Sequence, residues 1–265
     1  MALQNKKELG QHWLNNREIL NQIADLAREV DFEGDENVLT ALEIGPGLGT
    51  LTASLLKRFD KVIAVEYDEK LAKNLPGSFP GTNLEVIHED FLQFKISTIP
   101  TPYVAVGNIP YYITGQIIEK LLMTKNQPEK IVLLVQKEVA ERIADGRETL
   151  LSIRCKNRAD VELGPVVMRS EFTPPPKVDS RVIILKPHPP ILSEEVMQFV
   201  QTGFSQPRKK VTRNLSVYMM REDIKDIFIK NNINIDVRPA EMHLDDWQRI
   251  YDLMTPFMKK VKKVV

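Results

Sequence analysis

The chain has 265 residues, of which 43% are apolar, and its 36 lysines and arginines balance 36 aspartates and glutamates. At roughly 100–200 residues per domain, this length fits one large domain with a small one, or two modest ones. The composition excludes disordered, collagen-like and low-complexity classes, while zero net charge on its own argues against a nucleic-acid partner.

Nothing in the sequence predicts a membrane or an extracellular location. The longest apolar run, Ile131–Val135, is far shorter than the ~20 residues that cross a bilayer, so no membrane partner is expected. The first residues lack the apolar core of a signal peptide. The single cysteine, Cys155, cannot form an internal disulfide. These features predict a cytoplasmic protein.

Short β-rich runs alternate with amphipathic helical segments from residue 38 to residue 185. The predicted strands are Val38–Ile44, Lys61–Glu66, Leu84–His88, Tyr103–Gly107 and Lys130–Val135. The predicted helices between them include Leu51–Phe59, Asp68–Leu75 and Gly115–Met123. Continuous apolar strands separated by helices indicate a parallel sheet covered on both faces. We therefore predict an open, doubly wound α/β domain, which binds ligands beyond the carboxyl ends of its strands.

The alternation ends at Pro187-His188-Pro189-Pro190, and only helical periodicity follows. The predicted helices there include Glu194–Phe204, Lys209–Met219, Ile224–Lys230 and Leu244–Met254. The sequence therefore predicts two domains, an α/β domain over residues 1–188 and an all-helical domain over residues 189–265.

The zero net charge hides an uneven distribution. Residues 1–190 hold 23 basic and 26 acidic residues, whereas residues 191–265 hold 13 and 10. The basic residues cluster at Arg208-Lys209-Lys210 with Arg213, and again in the tail at Lys259–Lys263. RNA binding is the favoured interpretation of the first cluster. For the tail, a solvated chain end is an equally good one.

A glycine-rich loop, Gly45-Pro46-Gly47-Leu48-Gly49, directly follows the first predicted strand. Glycines at such a place let the backbone turn tightly and approach a ligand closely. The spacing is G-x-G-x-G, not the G-x-G-x-x-G of a dinucleotide site. With Glu43 two places before the first glycine, the loop resembles motif I of S-adenosylmethionine-dependent methyltransferases. A tight turn without a ligand is the alternative.

Acidic residues end the next two strands. Glu66 lies 21 residues after Gly45, where an acid can accept hydrogen bonds from both ribose hydroxyls. Asp90 follows the third strand, where a carboxylate or its neighbours can meet an adenine amino group. Together with the glycine loop, these acids favour a cofactor that carries a nucleoside.

The fourth strand leads into Asn108-Ile109-Pro110-Tyr111, the most specific signal in the chain. The amino group of adenine is a poor nucleophile because its lone pair is delocalised into the ring. The Asn108 side-chain oxygen and the Pro110 carbonyl can hold both of its hydrogens, which favours a pyramidal nitrogen. Proline stiffens the loop and removes a competing donor. Tyr111 offers a face on which an extruded base can stack.

With these motifs, the chain resembles the ribosomal RNA adenine dimethyltransferases, which include the KsgA and Erm branches, and the KsgA branch most closely. The resemblance covers almost the whole chain. Besides the glycine loop, Glu66, Glu89-Asp90-Phe91 and the tetrapeptide, the matching segments are Lys7–Leu14, Gln136–Arg142, Phe172–Ser180, Phe204–Lys209 with Asn214-Leu215, and Arg238–Glu241.

The resemblance implies a Rossmann-like methyltransferase domain followed by a helical domain. It implies dimethylation of two adjacent adenines near the 3′ end of small-subunit ribosomal RNA, in a ribosomal subunit or its precursor, by a monomer. S-adenosylmethionine would be the donor of all four methyl groups, and no metal is expected. The implied cofactor residues are His12, Leu14, Gly45, Glu66, Asp90 and Asn108. The implied base pocket is Asn108, Pro110, Tyr111 and Phe172, and Arg208, Lys209, Lys210 and Arg213 would contact RNA phosphates.

Departures from the family pattern concentrate at the start of the chain. His12 stands where the family usually has asparagine, and Trp13 where it usually has phenylalanine. Imidazole can still hydrogen-bond a cofactor, but its bonding pattern depends on the tautomer. Asn15-Asn16 stands near a usual acidic position.

Other functions remain open at this level. The tetrapeptide occurs in both branches, so an Erm-like enzyme of large-subunit RNA is the alternative within the family. A DNA adenine methyltransferase is less favoured because no separate sequence-reading module is visible. An RNA-binding assembly or transcription factor that has lost turnover is the alternative outside enzymes.

Overall fold

A computed structural model describes residues 11–30 and 39–258, so the Lys259–Lys263 cluster, Val38 and the first part of the Lys7–Leu14 motif lie outside the described residues. The described strands are β1 (Trp13–Leu14), β2 (Thr40–Ile44), β3 (Lys61–Glu66), β4 (Leu84–His88), β5 (Tyr103–Asn108), β6 (Lys130–Gln136), β7 (Ala159–Val167), β8 (Phe172–Thr173) and β9 (Ser180–Pro187). The described helices are α1 (Arg17–Arg28), α2 (Thr52–Leu55), α3 (Glu69–Ser78), α4 (Thr114–Met123), α5 (Lys137–Ala144), α6 (Leu150–Lys156), α7 (Glu194–Gly203), α8 (Val211–Asn214), α9 (Arg221–Lys230) and α10 (Leu244–Met254).

Seven of these strands form one sheet in the order β4-β3-β2-β5-β6-β9-β7. The strands β2 to β6 pair in parallel, as their continuous apolar sequences predict. The chain runs outward from β2 through β3 and β4, then returns to add β5 on the other side of β2. The strand order therefore reverses between β2 and β5, and ligand sites of such sheets lie outside the carboxyl ends at this switch point.

The far edge of the sheet differs from the predicted all-parallel arrangement. Strand β9 pairs antiparallel with both β6 and β7. The register between β7 and β9 shifts between Leu163 and Val166, where Gly164-Pro165 interrupts the strand. Glycine and proline inside a strand are typical of a bulge. This interruption explains why the sequence pattern does not predict β7 as a strand.

Contacts divide the chain into two units. One comprises Met1–Glu141 with Ala159–His188, and the other comprises Arg142–Arg158 with Pro189–Val265. The predicted domains, with one boundary after residue 188, differ from these two units in residues 142–158, which group with the helical unit. The reason is packing, since Ile153 of α6 is fully buried among the apolar side chains of that unit.

The helical unit is built around Trp247 of α10, whose ring is 0% exposed. Phe199 of α7 meets this ring edge-on at 6.3 Å between centroids, and Phe204 packs on it at 5.6 Å. Gly203 provides the space for the indole, because a Cβ atom there would lie 2.2 Å from Trp247 Cη2. The close approach of α7 to α10 therefore requires a residue without a side chain.

Gly203→Ala should accordingly destabilise the protein although alanine favours helices. The added methyl group would overpack the buried indole, at a cost of about 1–3 kcal/mol in the free energy of unfolding. Gly77→Ala in α3 is the matched control, since a Cβ atom there has no neighbour within 4 Å. That control should stabilise by about 0.4–1 kcal/mol. Urea unfolding measures both variants, and equal effects would contradict the packing described here.

Candidate functional site

A cavity of about 370 Å³ opens at the carboxyl ends of β2, β3 and β5, at the switch point of the sheet. Eight predicted site residues line it: His12, Leu14, Gly45, Glu66, Asp90, Asn108, Pro110 and Tyr111. Six of them, from Gly45 to Tyr111, follow the carboxyl ends of parallel strands, which meet at one edge of the sheet, whereas His12 and Leu14 belong to the separate segment around β1. The structure therefore brings the predicted cofactor residues and most of the predicted base pocket together.

The glycine loop forms one wall of this cavity in a conformation that few other residues adopt. Gly45 and Gly47 have φ angles of 66° and 58°, in the left-handed region. The Gly45 N–H donates to the Val65 carbonyl at 2.9 Å, which ties the loop to β3. A Cβ atom on Gly45 would meet no atom within 4 Å, so the loop borders open space at this point.

Glu66, at the end of β3, braces the loop with its carboxylate. Its Oε2 accepts the Gly47 N–H at 3.0 Å, and its Oε1 accepts the Asp68 N–H at 2.8 Å. Burial raises the pKa of the Glu66 carboxyl, and these backbone hydrogen bonds oppose that shift. A carboxylate has about four lone-pair sites, so each oxygen can still accept a hydroxyl from a bound ribose.

Glu43, on the neighbouring strand β2, lines the same cavity and is only 1% exposed. Burial raises the pKa of its carboxyl to about 8, and the nearby Glu66 adds to the shift. The Thr52 hydroxyl donates to Glu43 Oε2 at 2.6 Å and opposes it. The site therefore holds a proton on Glu43 at neutral pH. The sequence showed this acid as part of the motif but gave no signal of its protonation.

Asp90 and Phe91 form the next wall, after β4. Asp90 Oδ1 accepts the Leu92 N–H at 2.9 Å, which shapes a tight turn and leaves Phe91 almost buried against the cavity. Lys120 of α4 fixes this turn from outside, because its Nζ donates to the Leu92 carbonyl at 2.7 Å and lies 5.5 Å from the Phe91 ring centroid. The arrangement offers an aromatic face and polar atoms to a flat ring.

Asn108, the last residue of β5, is held in a defined orientation. Its Nδ2 donates to the His12 backbone carbonyl at 2.8 Å. A carbonyl can only accept, so the nitrogen end of the amide must face it. The Oδ1 atom is therefore the end left to accept a hydrogen bond, and it has no partner among the described residues. The nearby Pro110 carbonyl already accepts the Ile113 N–H, at a long 3.3 Å.

His12 and Tyr111 form a stacked pair beside Asn108, with ring centroids 6.2 Å apart and planes 22° from parallel. His12 Nδ1 lies 2.7 Å from the Pro174 carbonyl, which can only accept a hydrogen bond, so Nδ1 is the donor. The Tyr111 hydroxyl bonds Ser180 Oγ at 2.7 Å. Burial raises the pKa of the Tyr111 phenol, which is therefore neutral.

The N-terminal segment owes its place to a distant loop. Strand β1 pairs with β8, with Leu14 opposite Phe172. Asn15 Nδ2 donates to Thr173 Oγ1 at 2.7 Å, and Asn16 Nδ2 donates to Glu171 Oε2 at 2.9 Å while its oxygen caps α1. These asparagines therefore anchor the segment that carries His12.

Phe172 is the predicted pocket residue that the structure does not bring to the cavity. Its side chain is 3% exposed and packs in the apolar core with Leu14. Pairing with β1 turns it inward, and the sequence pattern could not show which face of so short a strand it occupies. Its role as a second stacking surface stays a prediction.

The predicted RNA-binding cluster lies on the helical unit, at the start of α8. Arg208, Lys209 and Arg213 are exposed, and their side chains form no ion pair with the described residues. Lys210 is exposed too but pairs with Asp236. Three of the four predicted cations are therefore available to bind anions.

A family model described as ribosomal RNA adenine dimethylase matches residues 2–255. The chain belongs to the ribosomal RNA adenine dimethylase family. Curated relatives named ribosomal RNA small subunit methyltransferase A include proteins from Synechococcus sp. (strain JA-2-3B'a(2-13)), 37% identical with 94% of this chain and 92% of the relative covered, and from Mycoplasma capricolum subsp. capricolum, 32% identical with 94% and 97% covered.

Solved structures of similar fold include a dimethyladenosine transferase from Plasmodium falciparum, at a TM-score of 0.75 and 26% identity, covering 92% of this chain and 98% of that one. The 23S rRNA methyltransferase ErmE follows at a TM-score of 0.72 and 27% identity, with 92% and 99% covered. These findings confirm the Rossmann-like fold with a helical part. As a family member, the chain is an S-adenosylmethionine-dependent ribosomal RNA adenine dimethyltransferase.

The cavity fits this cofactor. Open space borders Gly45, and the Glu66 carboxylate stands at the loop. The Trp13 indole N–H is buried beside Gly47 without a hydrogen-bond partner. Buried polar groups normally have a partner, so this one is consistent with a ligand-binding role of the cavity wall. Among residues 11–30 and 39–258, no three His, Cys, Asp or Glu side chains cluster as metal ligands would, and no helix is long and apolar enough to span a membrane.

The buried Glu43 makes stability depend on pH. The folded protein holds a proton up to about pH 8, whereas an unfolded glutamate releases it near its ordinary pKa of 4.5. The contribution of Glu43 to stability is complete below pH 4.5 and is lost as the pH rises from there to about 8. Relative to Glu43→Gln, wild type should lose about 1.4 kcal/mol of unfolding free energy per pH unit in this window.

Urea unfolding of both proteins across this pH range, without cofactor, provides the measurement. A difference between wild type and Glu43→Gln that stays constant with pH would show that Glu43 is ionised in the folded state, contrary to this account.

Proposed function

We propose that this enzyme transfers four methyl groups from S-adenosylmethionine to the N6 atoms of two adjacent adenines near the 3′ end of small-subunit ribosomal RNA. The observation that carries the proposal is the oriented amide of Asn108, whose free Oδ1 faces the shared cavity beside the His12–Tyr111 pair. A fixed neutral acceptor at the end of β5 suits a neutral amino group that must lose its planarity.

The glycine loop, Glu66 and Asp90 would hold the cofactor. The positive φ angles of Gly45 and Gly47 let the backbone approach it closely, and Glu66 would accept bonds from its ribose. Phe91 would contact the adenine ring, with Asp90 beside it, and His12 and Leu14 would close the cavity on the opposite side. Protonation of Glu43 leaves one buried carboxylate charge here instead of two.

When bound, the cofactor supplies a methyl group on a sulfonium: the N6 lone pair forms the new N–C bond as the C–S bond breaks to leave a neutral thioether, and a proton leaves N6 for solvent. Asn108 Oδ1 and the Pro110 carbonyl would accept the N6 hydrogens, which makes the lone pair available. Tyr111 would stack on the base. Its phenol is neutral and bonded to Ser180, so it positions the ring and takes no proton. Proximity and alignment supply most of the catalysis.

Small-subunit specificity is supported by the curated relatives, which carry that assignment in their name at 32–37% identity. The Arg208, Lys209 and Arg213 side chains would bind RNA phosphates, with Lys210 contributing less because Asp236 neutralises it. The partner would be a ribosomal subunit or its precursor, and the location would be the cytoplasm. A monomer suffices, because one chain supplies both the cavity and the basic cluster.

The second candidate is methylation of large-subunit RNA, which the similarity to the 23S enzyme at 27% identity favours. Incubating the enzyme with labelled S-adenosylmethionine and unmethylated small or large subunits separates the two. We expect dimethyladenine at two adjacent positions of the small-subunit RNA, mapped by mass spectrometry. Label confined to the large subunit would establish the second candidate, and no label on either would remove the catalytic proposal.

Asn108→Ala should lower the rate of methyl transfer by at least about 10²-fold, the loss typical of removing one oriented hydrogen-bonding group from an active site. Affinity for S-adenosylmethionine should stay within a few-fold of wild type. The matched control is Asn83→Ala. The side-chain amide of Asn83 also donates one hydrogen bond to a backbone carbonyl, that of Asp60, but at the opposite end of the sheet.

Single-turnover kinetics and calorimetric titration of the cofactor measure both quantities. Equal transfer rates in Asn108→Ala and Asn83→Ala would show that Asn108 has no role in methyl transfer.

The two parts of the Tyr111 side chain should contribute unequally. Tyr111→Phe keeps the stacking face and loses only the bond to Ser180, so transfer should stay within a few-fold of wild type. Tyr111→Ala also loses the face, and stacking worth about 1–3 kcal/mol per base should lower transfer roughly tenfold to a hundredfold. Similar rates in the two variants would show that the ring is not a stacking surface.

A further inference from the structure

A second groove of the α/β unit, of about 470 Å³, lies between the start of α5 and the segment before β9. Three cationic side chains line it: Lys137, Arg169 and Lys177. None of them forms an ion pair or a side-chain hydrogen bond with any described residue. Unpaired cations converging on one groove suit an anionic ligand.

Three carboxylates also line the groove, those of Glu138, Glu141 and Asp179, and none of them forms an ion pair with its three cations. Glu141 pairs with Arg181 at 2.9 Å. Asp179 Oδ1 accepts the backbone N–H of Arg169 at 2.9 Å, and the Asp179 carbonyl accepts the backbone N–H of Lys137 at 3.0 Å. Asp179 thus holds two of the cation-bearing segments together through their backbones, while their charged ends remain free for a ligand.

The groove also exposes apolar surface. Met168 is 53% exposed and Val178 is 44% exposed, and both belong to its lining. Apolar side chains beside unpaired cations suit a nucleotide strand, in which phosphates alternate with sugars and bases that carry apolar surface. An acidic peptide would use the cations but would offer little apolar surface to Met168 and Val178.

The chain connects this groove directly to the proposed base pocket. Ser180, which bonds the Tyr111 hydroxyl at 2.7 Å, immediately follows Asp179. A strand lying in the groove would therefore lead to the base that stacks on Tyr111.

We infer that this groove binds the single-stranded RNA next to the target adenine, with Lys137, Arg169 and Lys177 on its phosphates and Met168 and Val178 against its bases or sugars. The inference rests on the proposed function and adds a binding surface distinct from the Arg208–Arg213 cluster. Contacts to phosphate position the strand without reading its sequence.

The test uses Arg169→Ala combined with Lys177→Ala in the full chain, and a single-stranded RNA of about ten nucleotides with two adjacent adenines as the probe. Both residues are exposed and unpaired, so the fold should be unaffected. Loss of two phosphate contacts should lower the log–log salt slope of binding by about 1.4 and weaken affinity about tenfold near physiological salt. Affinity for S-adenosylmethionine should not change.

The matched control is Lys57→Ala combined with Lys73→Ala, which removes the same charge from exposed, unpaired lysines of the same unit that line neither cavity. It should bind RNA as wild type does, and Arg169→Lys with Lys177→Arg should restore the slope. Equal slopes in the groove variant and the control would overturn the inference, as would no measurable RNA binding by wild type. Methylation of small subunits by wild type, measured in parallel, tests the proposed function separately.

Discussion

The hydrogen bond from the Asn108 amide to the His12 carbonyl is the constraint on which the proposed chemistry depends. It fixes which end of the amide faces the cavity, because the carbonyl has no hydrogen to give. That carbonyl is itself placed by the pairing of β1 with β8 and by the bonds of Asn15 and Asn16 to Thr173 and Glu171. Residues about 160 positions apart thus determine the orientation of one side chain at the end of β5.

The glycine loop shows a second dependence, between backbone geometry and buried charge. Gly47, in a left-handed conformation, donates its N–H to Glu66, and this bond offsets part of the effect of burial on the Glu66 carboxyl. A second ionised acid nearby would raise the cost of burying both, and the site avoids this by keeping the proton on Glu43. The glycine loop, the Glu66 carboxylate and the protonated Glu43 therefore depend on one another and are in place before the cofactor binds.

Sequence reasoning succeeded where one pattern determines the structure alone. Strands β3 and β4 and helix α10 have the predicted bounds, and the ends of the parallel strands bring six of the proposed site residues to one cavity. It does not reach features that distant contacts decide. The β7–β9 pair depends on the far edge of the sheet, and residues 142–158 belong with the helical unit because Ile153 packs there. The inward face of Phe172 follows from its pairing with β1, and no local pattern contains that information.

The most direct measurement of the central claim is a structure of the enzyme bound to a non-transferable analogue of S-adenosylmethionine and a short single-stranded RNA that ends in two adenines. This account predicts the N6 atom of one adenine within about 2.7–3.2 Å of Asn108 Oδ1, with Nδ2 still bonded to the His12 carbonyl and the base stacked on Tyr111. An adenine held elsewhere, or an Asn108 amide turned so that Nδ2 faces N6, would contradict it.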